Sequence, residues 1–293
     1  MKLPVCVLHE ESKLYPSLLF EIPGAPKTLY YRGIPPTSRE SCVAIVGTRK
    51  ASREGLVLAH ELAESLVLRG ITIVSGLALG IDGAAHEGAL KANGRAIAVL
   101  ANGLDAVYPR QHEHLAEHIL ESGGCLISEY PEGTPAYPSQ FLERNRIVSG
   151  LSIATIVIEA PLRSGSIATA RNAIEQGREV FVFPGSVKSV NYKGSHMLIR
   201  NGARLVTSCA DILEDLGVES SSSPTTIKEN TASLSEVESQ IVNTLTSARE
   251  PLTIDKILEL TTLQPHIVSE KLTLLLFSGM IEEVGGKFRI KNN

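Results

Sequence analysis

The residues best able to do chemistry in this chain sit in glycine-rich turns that directly follow apolar runs. Ser41-Cys42-Val43-Ala44-Ile45-Val46 ends in Gly47-Thr48-Arg49-Lys50-Ala51-Ser52, and Ile71-Thr72-Ile73-Val74 ends in Ser75-Gly76-Leu77-Ala78-Leu79-Gly80-Ile81-Asp82. The apolar run 153–158 ends in Glu159-Ala160-Pro161-Leu162-Arg163-Ser164-Gly165-Ser166, and the run 180–183 in Pro184-Gly185-Ser186. Glycine at such turns accepts positive φ and lets an anion approach backbone N–H groups. Arg49 stands where a helix starts, and a cation there opposes the helix dipole unless an anion lies beside it. The pattern points to phosphate binding.

A second constellation is Phe141-Leu142-Glu143-Arg144-Asn145-Arg146, an aromatic beside two arginines and an asparagine. Aromatic faces stack on bases while arginines meet phosphates, the pairing expected for single-stranded nucleic acid. Arg144 suits a phosphate contact and an internal ion pair with Glu129 or Glu159 equally well. His86 follows Asp82 by one helical turn, but no third ligand is evident, so a structural His–Asp contact is expected rather than a metal site. Glu159 is the only carboxylate placed like a catalytic group, and it stands alone. Walker, HExxH, GxSxG and EF-hand patterns are absent. Cys6, Cys42, Cys125 and Cys209 lie far apart and form no CxxC pair, so reduced, buried thiols are expected. The chain therefore reads as having no catalytic residues, no metal and no cofactor.

These turns need a scaffold that brings them together. Strand-like and helix-like segments alternate from 39 to 216, and repeated β-α units build one parallel sheet covered on both faces. The fold class read here is α/β, a Rossmann-like parallel-sheet domain with a small C-terminal winged-helix domain. Ser52 caps a helix running to about Arg69; further helices are read near 82–93, 109–122, 140–149, 166–176 and 195–201. Residues 1–38, rich in Pro and Tyr, read as an N-terminal extended arm. Residues 217–233, with the run Ser220-Ser221-Ser222-Ser223-Pro224, read as a linker. Residues 234–293 read as three helices and a hairpin around Gly285-Gly286, the pattern of a winged helix.

Composition sets bounds on all of this. The 293 residues are 43% hydrophobic and 20% charged, enough for a sizeable core, with 4% aromatics and no Trp. The net charge of −4 does not advertise a nucleic-acid binder, so any such site must be local. No stretch approaches the roughly 18 apolar residues of a membrane span, and the N-terminus lacks a secretory h-region. A cytoplasmic location is expected.

Taken in order, the motifs resemble one family. Gly47-Thr48-Arg49, Ser75-Gly76-Leu77-Ala78 with Gly80-Ile81-Asp82 and Ala85-His86, and Gly103-Leu104-Asp105 with Tyr108-Pro109 are similar to the DNA-processing protein A (DprA/Smf) family. So are Ser128-Glu129 with Pro131, Arg144-Asn145-Arg146-Ile147, Glu159-Ala160, Ser164-Gly165-Ser166 with Thr169-Ala170, and Pro184-Gly185. The resemblance spans about 15–216. It implies a non-enzymatic protein that binds single-stranded DNA, protects incoming or recombining strands, forms homodimers and loads a RecA-type recombinase. By the same resemblance Arg49, with Lys50 beside it, grips phosphate, and Arg110 occupies an often basic position. Phe141 heads the Arg144-Asn145-Arg146 motif, while Ser75, Gly76, Gly165 and Ser166 form the backbone cradle. Leu142 stands where relatives usually have Pro, and His196-Met197 replaces a segment that usually carries Asn.

Two other readings compete. A related Rossmann group hydrolyses nucleoside monophosphates with a Glu soon after its Gly-rich turn, but here the next Glu after Gly165 is Glu175. A duplex-DNA regulator would act through 234–293, yet that segment holds six basic and eight acidic residues, a net of −2. Its recognition helix would carry only His266 and Lys271 against Glu270, too few cations to neutralise many phosphates.

Overall fold

The computed structural model describes residues 3–218, 236–248, 251–261, 263–277 and 281–290. The chain divides into two compact units, Met1–Ser221 and Ser222–Asn293. The first opens with strand β1 (Cys6–His9), helix α1 (Ser17–Phe20) and strand β2 (Thr28–Gly33). Strand and helix then alternate through β3 (Cys42–Val46), α2 (Arg53–Val67), β4 (Thr72–Ser75), α3 (Ile81–Lys91) and β5 (Ala96–Leu100). Next come α4 (Glu113–Glu121), β6 (Cys125–Ser128), α5 (Pro138–Gly150), β7 (Ala154–Val157) and α6 (Gly165–Glu175). The unit ends with β8 (Glu179–Val182), α7 (Lys193–Arg200), β9 (Arg204–Leu205) and α8 (Cys209–Asp215).

The strands form one sheet in the order β1-β2-β6-β5-β4-β3-β7-β8-β9. Every pairing from β6 through β3 to β9 is parallel. All residues of β3 to β7 are buried, which explains why they appear in sequence as unbroken apolar runs rather than alternations. Helices α2, α3, α4 and α8 cover one face through Leu62, Leu66, Ala85, Ala89, Ile119 and Ile212. Helices α5, α6 and α7 cover the other through Ile147, Val148, Leu151, Ile167, Ala170 and Leu198. The helix read at 109–122 starts instead as a 3-10 turn, Arg110–His112, before α4. Elsewhere the helix ends move by no more than a few residues.

The N-terminal arm differs from expectation. Residues 3–38 do not lie along the domain as an extended arm; they complete its sheet. β2 pairs antiparallel with β6, setting Tyr30 against Ser128 and Tyr31 against Ile127, and β1 pairs antiparallel with β2. Leu8, Tyr15, Leu19, Ile22 and Leu29 are buried in the same core as α5 and β6. The Tyr15 hydroxyl donates to the Pro26 carbonyl at 2.6 Å. Three elements of four, four and six residues are too short to show a period, so their burial was not readable from spacing.

In the second unit α9 (Glu236–Ser247), β10 (Leu252–Thr253), α10 (Ile254–Thr261) and α11 (Pro265–Phe277) precede the hairpin β11 (Ile281–Val284) and β12 (Lys287–Ile290). The three strands lie in the order β10-β12-β11, all antiparallel. Gly285 and Gly286 have φ of +61° and +77°, as a two-residue hairpin turn with positive φ at both central positions requires. Ile241, Leu245, Ile257, Val268, Leu272, Leu275 and Ile281 form its separate core. The linker read at 217–233 lies, beyond residue 218, outside the described residues. Among the described residues no helix is long and apolar enough to cross a membrane.

Because Leu29 is only 2% exposed, Leu29→Ala should cost the first unit roughly 2–5 kcal/mol, the range for emptying a buried leucine site. Urea unfolding followed by circular dichroism measures it. An unchanged midpoint would mean that β2 is not part of the cooperative core.

Candidate functional site

The sheet order reverses at β3: the chain first builds outward through β4, β5 and β6, then returns to lay β7 on the other side. Ligands of open parallel sheets bind at such a reversal, outside the carboxyl ends of the strands. A cleft of about 520 Å³ opens there. Gly47, Thr48 and Arg49 line it from the β3 exit, Gly76 and Ala78 from the β4 exit, and Tyr108 from the β5 exit. Phe141, Leu142, Arg144 and Asn145 line it from α5, and Arg163, Ser164, Gly165 and Ser166 from the start of α6. The first-turn N–H groups of a helix have no intrahelical partner, so α6 presents donors and a positive dipole end to the cleft.

Buried polar groups fix these walls. The Arg144 guanidinium is 4% exposed; it donates from Nη1 to the Gly76 carbonyl at 2.7 Å and also to the Val99 carbonyl. Burial pushes its pKa down to about 10 against the opposing pull of Asp82. A Cβ at Gly76 would collide with that guanidinium, so this glycine admits Arg144. Asp82 accepts from the backbone N–H groups of Gly76 at 3.1 Å and Ala78 at 3.4 Å. Burial raises the Asp82 carboxyl above its ordinary range, while Arg144 and the two amides pull it down. Glu159, fully buried, accepts from the Ser52 N–H at 2.9 Å, from the Ser52 hydroxyl and from Asn191 Nδ2 at 2.8 Å. Ser52 in turn accepts from the Gly55 N–H at 3.0 Å as the cap of α2. The isolated carboxylate thus anchors a helix start.

The expected site residues separate into two groups. Arg49, Phe141, Gly165 and Ser166 come together on the cleft. The Arg49 guanidinium carbon lies 5.1 Å from the centroid of the Phe141 ring. Arg49 and Lys50 are exposed and make no ion pair among the described residues, although Lys50 does not line the cleft. Gly165 leaves open space, the nearest atom to an added Cβ being Asn145 Nδ2 at 3.8 Å. The remaining residues make internal bonds or lie off the cleft. Ser75 is buried, its hydroxyl donates to the Ile45 carbonyl at 2.6 Å, and it does not line the cleft. Arg146 bonds Glu129 at 2.7 Å and the Gly24 carbonyl at 3.1 Å. Asn145 donates to the Gly165 carbonyl at 3.1 Å and ties α5 to the start of α6. Arg110 lies outside the cleft lining, 3.6 Å from Glu113. Charge and motif position alone do not tell a gripping arginine from one spent on the fold.

Two further cleft residues escaped the sequence reading. Tyr108 packs on Phe141 with ring centroids 5.5 Å apart and planes at 58°. Arg163 is exposed on the cleft wall and makes no ion pair among the described residues. Both lie in turns already singled out, but nothing in their spacing marks them above their neighbours. The expected His86–Asp82 contact does not form. Asp82 turns to the backbone amides, and both His86 ring nitrogens are buried without a hydrogen-bond partner among the described residues. No cluster of three or more His, Cys, Asp or Glu able to hold a metal occurs among the described residues.

The sequence matches the family of the DNA recombination-mediator protein A over residues 6–217. The chain belongs to that family. It is 46% identical to protein Smf of Escherichia coli over 210 residues, 72% of this chain and 56% of that protein. DNA processing protein A of Streptococcus pneumoniae superposes with a TM-score of 0.68 at 40% identity, covering 73% of this chain and 75% of that one. DNA processing protein A of Helicobacter pylori, described for its single-stranded-DNA binding mode, superposes with a TM-score of 0.65 at 30% identity. That match covers 74% of this chain and 99% of the other. Against Smf the match thus spans little more than half of the relative's length. The family match begins at residue 6, so β1 and β2 belong to the shared domain.

His86 makes a pH prediction. Burial, with His112 and Arg144 adding like charge, pushes its pKa down to about 3 from 6.5. The folded state keeps this histidine neutral, so its contribution is complete above pH 6.5 and drains away as pH falls toward 3. Between pH 7 and pH 5 this should cost about 2 kcal/mol, and His86→Met should remove that part of the acid sensitivity. Urea midpoints of both proteins at the two pH values provide the check; identical acid sensitivity would refute a buried neutral His86.

Proposed function

We propose that the chain is a non-enzymatic single-stranded-DNA-binding protein that protects recombining or incoming strands and loads a RecA-type recombinase, acting as a cytoplasmic homodimer. The observation that carries this is the position of Arg49: a guanidinium with no ion pair among the described residues, over the Phe141 ring and at the mouth of a cleft bounded by the start of α6. A phosphate placed there meets the arginine and the helix N–H groups together, while Phe141 and Tyr108 offer ring surface to a base. The family membership and the Helicobacter pylori relative support the same reading. In it Arg49, Phe141, Gly165, Ser166, Tyr108 and Arg163 contact the strand, with Lys50 at the rim. Ser75, Gly76, Arg144, Asn145 and Arg146 shape the cleft. Asp82 and Glu159 are tied to backbone amides, so neither serves as a hydrolytic acid or base.

The proposal assigns binding to the first unit. The second unit, read as a winged helix, has Lys256, Lys271 and Arg289 paired with Glu259, Glu238 and Glu282 at 2.7, 3.3 and 2.6 Å. With those cations neutralised it suits an accessory or protein-contact role better than duplex readout.

Comparing single- and double-stranded oligonucleotides across a salt series tests the reading. Arg49→Ala should weaken single-strand binding by roughly 1–3 kcal/mol, alike for all base compositions, because phosphate carries no sequence information. The plot of log affinity against log salt should lose about 0.7 from its slope, the value for one single-strand phosphate contact. Gly165→Ala should leave the melting temperature intact, since its backbone is unstrained and a Cβ meets no protein atom closer than 3.8 Å, yet lower affinity by standing in the cleft. Preference for duplex, or binding unchanged in both variants, would overturn the proposal.

A further inference from the structure

The carboxyl edge of the sheet is electrically graded. Residues 180–210 contain no Asp or Glu, although the chain holds 32 acidic residues in 293. Four cations lie in that stretch, Lys188, Lys193, Arg200 and Arg204. Arg204 is neutralised by Glu179 at 3.3 Å and Asp215 at 2.8 Å. Lys188, on the loop leaving β8, and Lys193, the first residue of α7 at the end of that loop, are exposed and make no ion pair among the described residues. Val187 and Val190, 79% and 63% exposed, stand between and beside them.

That loop is bolted to the cleft. Asn191 Nδ2 donates to the Lys50 carbonyl at 3.1 Å, next to Arg49. The Gly194 and Ser195 N–H groups both bond the Ala160 carbonyl, at 2.8 and 3.2 Å, and the Ser195 hydroxyl accepts from the Ala160 N–H at 3.2 Å. Tyr192 packs against Gly185, and His196 Nε2 donates to the Gly185 carbonyl at 3.1 Å. The loop is therefore held beside the turns that carry Arg49 and Arg163. β3, β7 and β8 are consecutive neighbours in the sheet, so their exits span roughly 10 Å. At the opposite end of the edge carboxylates stand beside the cations. Arg110 meets Glu113 and Arg146 meets Glu129, while Asp105, Glu132 and Glu143 are exposed.

We infer that a single strand seated in the cleft continues over the β8 loop, its backbone phosphates meeting Lys188 and Lys193. This rests on the single-strand reading of the cleft. The loop adds length-dependent, sequence-independent affinity: lysine supplies point charge and the exposed valines supply apolar surface for sugars and bases. Only an oligonucleotide longer than the cleft reaches it.

The test uses the full chain and thymidine oligonucleotides of 3 and 12 residues, the shorter read by competition against a labelled 12-mer. Lys188→Ala/Lys193→Ala should weaken 12-mer binding about tenfold at low salt and lower its salt slope by about 1.4, two single-strand phosphates. Trinucleotide affinity and melting temperature should not change, and Lys188→Arg/Lys193→Arg should bind the 12-mer as the parent does. Equal loss for both lengths, or no loss for either, overturns the inference. Arg49→Ala separates the two claims, because it should weaken both lengths. If Arg49→Ala leaves both unchanged, the cleft reading fails; if it weakens both while the lysine pair has no effect, only the β8 path fails.

Discussion

Much of the first unit's functional edge depends on one buried cation. Arg144 sits inside α5 with its Nη1 donating to the Gly76 and Val99 carbonyls, at the ends of two neighbouring parallel strands. A guanidinium out of water is tolerable only with hydrogen-bond partners and compensating charge. Here carbonyls supply the first and the nearby Asp82 the second. Asp82 in turn collects the Gly76 and Ala78 amides, so the β4 turn is defined from both sides. Gly76 follows from this, because only a missing Cβ leaves room for the guanidinium. A turn that looks built for a ligand is built first for an arginine.

The same logic separates committed cations from free ones. Arg146, Arg110, Arg204, Lys256, Lys271 and Arg289 all have carboxylate partners within 4 Å. Arg49 has an aromatic face instead. A cation over a ring keeps its charge while holding its orientation, since the ring quadrupole attracts without neutralising. The arginine is thereby positioned before any anion arrives, and its alignment need not come from binding energy. Glu159 contributes at one remove: by holding Ser52 and Asn191 it fixes where α2 begins and where the β8 loop lies relative to the Arg49 turn.

The central sheet was legible because its strands are buried on both faces, and unbroken runs such as 42–46 and 154–157 have no other reading between glycine turns. Ser52 as a helix cap and the positive-φ hairpin at Gly285-Gly286 were legible from local chemistry alone. What escaped is what depends on distant contacts. The antiparallel strands β1 and β2 gain their burial from β6 and α5, over a hundred positions away in places, as Arg146 with Gly24 shows. Within the site, residue type announced that arginines matter but not their direction. Arg144 and Arg146 lie two positions apart on one helix, so they point to different sides, one into the sheet edge and one toward Glu129. Tyr108 becomes part of the site only because its turn brings it against Phe141.

Net charge proved uninformative for a related reason. At −4 the whole chain repels phosphate weakly, yet the field at a binding edge is set by the charges within about one Debye length, roughly 8–10 Å at physiological salt. Around the Arg49 turn Asp82 and Glu159 are buried acceptors of backbone N–H bonds, and the exposed side chains are the cations Arg49, Lys50 and Arg53 with the single acid Glu54 at the start of α2. Exposed acids such as Asp105 and Glu132 gather instead toward the β5 and β6 exits, two and three strand positions from β3. An acidic protein can thus carry a cationic edge without raising its overall charge.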